Sequence, residues 1–416
     1  MSSLKKTISS GINSSSSSFS IVSIRRLNRC ILGMTLGKTN DIYSSNSEVW
    51  LLGLCYRIGE ASPPDESTSE LQNGQVGFQR DFFSRIWITY RKGFDVICDS
   101  KYTSDTNWGC MIRSSQMLIA QALISHYFGR SWRRSLHKPY DPKYIEILNL
   151  FGDSKSCVFS IHNLLLAGKS YGLASGSWIG PYAMCRSWEV LAHTSRQKEA
   201  LPMAVYIVSG DEDGERGGSP VVHIDVASKL CSQFISDDNG EPEPTAVPIL
   251  LLVPLVLGLD KINLRYIPLL RETFTFPQCL GILGGKPSLS TYIIGVQDNK
   301  VLYLDPHVVQ QAVVISRNNL EADTSSYHCS TPQHIPIEQI DPSLAIGFYC
   351  RDKDDFDDFC GRATKLAERS NGAPLFTVAR SAQKSWKYHH QSDDGFDNGR
   401  NENMNQHEDE DDWQFL

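Results

Sequence analysis

The run Asn107-Trp108-Gly109-Cys110-Met111-Ile112-Arg113 stands directly before a helical pattern, and about two hundred residues later comes Asp305-Pro306-His307. The pair supplies a nucleophile, a base and a group to orient the base, provided that the fold brings the start of an early helix against the end of a late strand. A thiol attacks only as thiolate, and a free cysteine at neutral pH is ionised to roughly a few per cent. Something must lower its pKa. The positive end of a helix opening at Cys110 and an imidazole held against the sulfur are two devices that this arrangement offers.

The helix is read from its period. Met111, Ile112, Met117, Leu118, Ile119, Ala122, Leu123 and Ile124 recur close to the 3.6 repeat with no proline between them. Upstream, Ser104, Asp105, Thr106 and Asn107 offer side chains for an N-cap, and Gly109 allows a tight turn just before the thiol. Cys110 is therefore expected to open a buried helix.

The strand-like run Lys300-Val301-Leu302-Tyr303-Leu304 precedes Asp305 and His307, and a period of two puts those residues on one face. One ring nitrogen of His307 can then face the thiol while the Asp305 carboxylate holds the other. Taken singly, a cysteine or a histidine is more often a packing residue, and Asp-Pro-His also reads as a strand-ending turn. His223-Ile224-Asp225 is a rival pair, placed in an amphipathic run beside a loop and expected to be structural.

Across the rest of the chain, Phe82 to Tyr90 reads as an aromatic, strand-like stretch. Strands are expected at Ile249 to Leu259, Cys279 to Leu283, Thr291 to Val296, Lys300 to Leu304 and Leu344 to Tyr349, with a hairpin at Gln297-Asp298-Asn299 and a helix over Asp354 to Arg369. Loops are expected at Ala61 to Gly77, Gly210 to Pro220 and Ser236 to Pro248, the last two flanking a partly helical segment from Val221 to Phe234. The most apolar stretch, Ile249 to Leu259, is about half of a membrane span. Of the 416 residues 41% are hydrophobic, enough for a large core, and the net charge of −7 with no basic stripe speaks against nucleic acid as a partner. The 11 cysteines are scattered without Cys-x-x-Cys or Cys/His ligand spacing, so neither a disulfide framework, a metal nor any other cofactor is expected.

Four stretches occur in the order found in a known family: Trp87-Ile88-Thr89-Tyr90-Arg91-Lys92, Thr103 through Met111, Gly284-Gly285-Lys286-Pro287, and Tyr303-Leu304-Asp305-Pro306-His307. From about Trp50 to about Phe359 the chain resembles the autophagins, the papain-like cysteine proteases of autophagy. The resemblance implies an α+β, papain-like fold with a smaller accessory subdomain. It implies Cys110 as nucleophile, His307 as base, Asp305 as its partner, and Tyr90 as a donor to the oxyanion, where the residues alone favour a core tyrosine at Tyr90. Trp178 matches the tryptophan that covers the substrate groove. Pro287 falls in what resembles a regulatory loop, where the residues alone suggest an ordinary turn.

Three regions follow: a basic, Ser-rich tail over 1–45, a protease domain over 46–370 and an acidic tail over 371–416. The first forty residues hold six Lys or Arg and no acid, a composition shared by transit peptides and phosphorylatable disordered tails. The last residues, Glu408 to Asp412 followed by Trp413-Gln414-Phe415-Leu416, resemble the short motif that docks on autophagy modifiers, with Trp413 and Leu416 entering apolar pockets. The expected function is a cytoplasmic, monomeric thiol protease that cleaves the ubiquitin-like autophagy modifier after its C-terminal glycine and releases it from phosphatidylethanolamine, touching membrane only through that conjugate. A thiol acyl transferase of related fold and a non-catalytic module binding the modifier are the alternatives.

Overall fold

The computed structural model describes residues 47–58, 74–97, 100–199, 201–209, 218–236 and 247–381. A hairpin comes first, β1 (Glu48–Leu51) and β2 (Leu54–Arg57), followed by helix α1 (Gly74–Ser84) and a two-residue strand β3 (Arg91–Lys92). Four helices follow, α2 (Cys110–Phe128), α3 (Pro142–Leu150), α4 (Ile161–Ala167) and α5 (Pro181–Glu199). Then come β4 (Ala204–Ile207), β5 (Val221–His223), α6 (Ile224–Ser236), β6 (Ile249–Val256) and α7 (Ile267–Thr273). The late sequence supplies β7 (Cys279–Gly284), β8 (Thr291–Gln297), β9 (Lys300–Leu304), β10 (Gln310–Gln311), β11 (Gln333–Pro336), β12 (Ser343–Cys350), α8 (Lys353–Glu368) and β13 (Thr377–Ala379).

Among the described residues one nine-stranded sheet runs in the order β11-β9-β8-β7-β12-β6-β4, with β1 on β8 and β2 on β1. It is antiparallel except where β4 joins β6. Alternation splits its side chains into two cores. Leu250, Leu252, Leu283, Ile294, Leu302 and Ala345 face one way, onto α2, α3, α4 and α5. Ile249, Leu251, Val253, Ile282, Ile293 and Ile346 face the other, onto α7 and α8 through Leu270, Phe356 and Phe359. Because both faces are covered, the strands read as continuous apolar runs. Pro254 is tolerated inside β6 because that side of the strand is open there: Leu252, two residues earlier, accepts the Val208 N–H on the β4 side, and β4 pairing ends at Leu252.

Helix α2 lies in the first core, and every residue from Cys110 to Ile124 is buried. Such a helix must be apolar on all sides or have its polar groups satisfied. Here Gln116 donates from Nε2 to the Phe159 carbonyl at 2.7 Å, and Gln121 accepts from Arg85 at 2.7 Å. Against the sheet the helix comes so near that a Cβ on Gly347 would stand 2.9 Å from a Leu118 methyl.

Two expectations fail locally. Phe82 and Phe83 belong to helix α1, and the chain from Ile86 to Tyr90 forms no strand before β3, although Trp87 and Tyr90 make single backbone hydrogen bonds. Aromatic residues favoured a strand reading there, whereas both rings serve a helix packed on β2. None of the four proposed capping side chains caps α2: its N-cap is Gly109, with no side-chain hydrogen bond. The packed chain also continues past residue 370, where Leu375 and Phe376 are buried and β13 pairs in parallel with β5. No helix among the described residues is long and apolar enough to cross a membrane.

Candidate active site

Cys110 is the first residue of α2 and is wholly buried. An α-helix leaves its first N–H groups without acceptors inside the helix, so the thiol and its own N–H sit at the positive end of the helix dipole. Gly109 is required immediately before it, since a Cβ there would lie 2.3 Å from an Asp105 carboxylate oxygen.

The opposite wall comes from the loop after β9. His307 Nδ1 and Asp305 Oδ1 are 2.5 Å apart, and the His307 N–H donates to the same oxygen at 3.0 Å. Trp87 fixes that segment by donating from Nε1 to the Asp305 carbonyl at 2.6 Å. Tyr90 is laced to it through its N–H to the Pro306 carbonyl at 2.8 Å, and Gln310 N–H donates back to the Tyr90 carbonyl at 3.0 Å. The parallel pairing of β3 with β10 continues that lacing. The Tyr90 ring meets the His307 ring edge-on, with centroids 5.4 Å apart.

Nε2 of His307 and the hydroxyl of Tyr90 are buried and find no nitrogen or oxygen partner among the described residues. Both face the Cys110 sulfur. Burial disfavours its thiolate, but the His307 imidazole, the Ser290 backbone N–H and the Tyr90 hydroxyl outweigh that and hold the thiol below its ordinary pKa. Burial likewise opposes charge on His307, yet Asp305 and Cys110 raise it to about 9. Asp305 is held below the usual carboxylate range, burial being overcome by the two hydrogen bonds from His307. The three groups together favour a thiolate beside an imidazolium.

Trp178 stands one layer out, in the loop leading to α5, half-buried and with its ring over Gly180. That loop packs near the turn that precedes α2: Gly176 lies against Tyr102, whose ring is 5.6 Å from that of Trp108. Pro287 is exposed in the connection from β7 to β8. Its neighbours lie across the start of α2, with Ser288 Oγ donating to the Asn107 carbonyl at 3.0 Å and Ser290 Oγ to Met111 Sδ at 3.6 Å. Trp413 and Leu416 lie outside the described residues. The rival His223 ends β5, and its N–H donates to the Tyr206 hydroxyl at 3.1 Å while Asp225 binds the Val226 N–H at the start of α6. Both bonds are made by backbone N–H groups, and neither involves the His223 ring.

Asp105 and Arg113 were not read from the sequence as parts of the site. The only signal was Arg113, a full charge inside a helix with no other Asp, Glu, Lys or Arg, which demands a buried partner. Among the described residues no three His, Cys, Asp or Glu side chains converge as a metal would require.

Residues 75–362 match the Peptidase C54 catalytic domain. The chain is 62% identical over 385 residues to cysteine protease ATG4B of Oryza sativa subsp. japonica, covering 89% of this chain and 79% of that protein. It is 55% identical over 405 residues to cysteine protease ATG4b of Arabidopsis thaliana, covering 94% and 81% respectively. Against cysteine protease ATG4B of Xenopus laevis it is 34% identical over 354 residues, covering 82% of this chain and 85% of the other.

Proposed function

The chain belongs to the Peptidase C54 family of autophagy-related cysteine proteases, and we propose that it cleaves the ubiquitin-like autophagy modifier after its C-terminal glycine and releases the same modifier from phosphatidylethanolamine. One observation carries the assignment of roles: a single imidazole, His307, is held by Asp305 on one nitrogen and presents the other, unpartnered, to the Cys110 sulfur.

In this reading the Cys110 thiolate attacks the glycine carbonyl, and the oxyanion is received by the Tyr90 hydroxyl and the Cys110 N–H. His307 passes its proton to the leaving nitrogen, which departs as an amine, and a thioester to Cys110 remains. Water, losing a proton to His307, then attacks the thioester. The products are a glycine carboxylate and the restored thiol. A peptide bond and the amide to phosphatidylethanolamine present the same acyl carbon, so one site serves both.

Trp178 would form a flat wall that admits glycine and excludes a side chain. The loop bearing Pro287 would have to lift from the start of α2 for a substrate tail to enter. Trp413 and Leu416 would dock on the conjugated modifier, which is also the route by which a cytoplasmic monomer reaches a membrane. Incubation with a precursor carrying residues beyond its glycine, read by intact mass, tests the reading. Wild type should release those residues and Cys110→Ala should bind without cleaving; undiminished cleavage by Cys110→Ala would remove the nucleophile from the scheme.

A further inference from the structure

Asp105 has no part in the chemistry above, yet it is completely buried and its carboxylate collects three donors. Oδ1 accepts the Arg91 N–H at 2.7 Å and Arg113 Nη2 at 3.1 Å, and Oδ2 accepts Arg113 Nε at 2.7 Å. Its backbone is equally committed, its N–H donating to the Arg91 carbonyl at 3.2 Å and its carbonyl accepting the Trp108 N–H at 3.2 Å and the Gly109 N–H at 2.8 Å. The Arg91 N–H belongs to the peptide that follows Tyr90, and the Trp108–Gly109 turn delivers Cys110. One residue therefore clamps the backbone on both sides of the place where an oxyanion would form.

We propose that Asp105 is a positioning residue for the oxyanion donors, fixing the spacing between Tyr90 and the Cys110 N–H and acting on the chemistry far more through that spacing than through the thiolate. The inference rests on the assignment of Cys110 as nucleophile and of Tyr90 and the Cys110 N–H as oxyanion donors. The peptide after Tyr90 is held at both ends, its carbonyl by Gln310 N–H and its N–H by Asp105, so it cannot rotate unless one is lost. Gly109 leaves the carboxylate no slack, as the 2.3 Å approach to a would-be Cβ shows. Arg113 anchors the clamp from the far side, bonded also to Asp153 at 2.8 Å. Asp105 touches neither His307 nor Asp305 through any of these bonds. It also helps Tyr90 to remain a protonated donor, after the larger effects of burial and of Cys110.

The experiment pairs two reactions of the same thiol. Cleavage of the modifier precursor needs oxyanion donors, whereas alkylation by iodoacetamide is a displacement of iodide at carbon and needs only the thiolate. Asp105→Asn should lower kcat by about ten- to a hundredfold, the order expected when a reacting group is misplaced by an ångström, with KM held within about twofold. Its rate of Cys110 alkylation should fall far less than kcat, within about threefold, because His307 and the Ser290 N–H, which do more than Tyr90 to hold the thiol low, are not bound by Asp105. Asp153→Asn takes a carboxylate from the same Arg113 but leaves the Arg91 N–H and the turn alone; its kcat should stay within about threefold of wild type. Should Asp105→Asn not fold, Gly109→Ala, whose backbone is compatible but whose methyl displaces the carboxylate, is judged by the same two rates.

A folded Asp105→Asn with undiminished kcat overturns the inference. So does a parallel fall in alkylation, which would put Asp105 in thiolate formation, and so does an equal loss of kcat in Asp153→Asn, which would make the effect one of charge balance around Arg113. Cleavage surviving in Cys110→Ala would instead overturn the underlying reading.

Discussion

Burial and hydrogen bonding pull the Cys110 thiol in opposite directions, and hydrogen bonding wins. The same contest at His307 ends with its pKa raised to about 9. The protonated imidazole that gives a proton to the leaving group is thus present below about 9 and lost above it, while the thiolate is lost as pH falls through a thiol pKa below the ordinary 9.0. The dependence of kcat/KM on pH should be bell-shaped with its alkaline limb near 9. After burial, which lowers it, the Asp305 hydrogen bond is the strongest influence on His307, so Asp305→Asn should bring that limb down toward the ordinary histidine value of 6.5 and reduce kcat/KM by about 10²-fold or more. An alkaline limb that does not move in Asp305→Asn would show that the carboxylate does not hold the proton on His307.

At this scale the sequence was unevenly legible. Asp305 and His307 could be paired because a strand precedes them and a period of two sets their side chains together. Asp105 could not be assigned to Arg91 and Arg113, because a short polar side chain before a helix reads as a cap, and only packing reveals that this one turns inward. The Asp153 contact joins residues 40 positions apart in number, beyond any local pattern.

Among the elements, α2 and the sheet declare themselves most clearly, for opposite reasons. The strands are long apolar runs because two cores cover them, and the helix is buried on every side from Cys110 to Ile124 because it is sunk in one of those cores. Ranges such as Thr291 to Val296 and Lys300 to Leu304 were readable for that reason and appear as Thr291–Gln297 and Lys300–Leu304. The stretch Phe82 to Tyr90 was not, since side-chain type alone cannot tell a buried helical face from a strand. The helix–sheet contact gives a direct test by paired glycines. Gly347 faces the wholly buried Leu118, so Gly347→Val should destabilise the fold by about 1–3 kcal/mol through overpacking. Gly361, exposed within α8 with open space where a Cβ would go, should gain about 0.5–1 kcal/mol on replacement by alanine. Thermal unfolding should move in opposite directions for the two; an unchanged or raised Tm in Gly347→Val would mean that the helix and sheet are not in such close contact.

For the whole molecule, the sheet acts as the partition that lets two distant motifs meet. Helix α2 is delivered by the first half of the chain, and the strands that carry His307 into place come from the second half. The short pairing of β3 with β10 then ties Tyr90 to the loop that follows His307. The order of the motifs along the chain already pointed to a papain-like arrangement of α+β class, to which the chain belongs by family. What order could not convey is the way the loop from β7 to β8 lies on Asn107 and Met111, since two glycines and a proline specify a turn but not where it rests. A trapping measurement decides whether the thiol of Cys110 attacks the acyl carbon of a terminal glycine. A modifier whose C-terminal glycine carries a thiol-reactive electrophile should form one covalent adduct with the wild-type chain, and peptide mapping should place it on Cys110. An adduct on any other of the 11 cysteines, or none on a folded protein that binds the probe, would contradict the account.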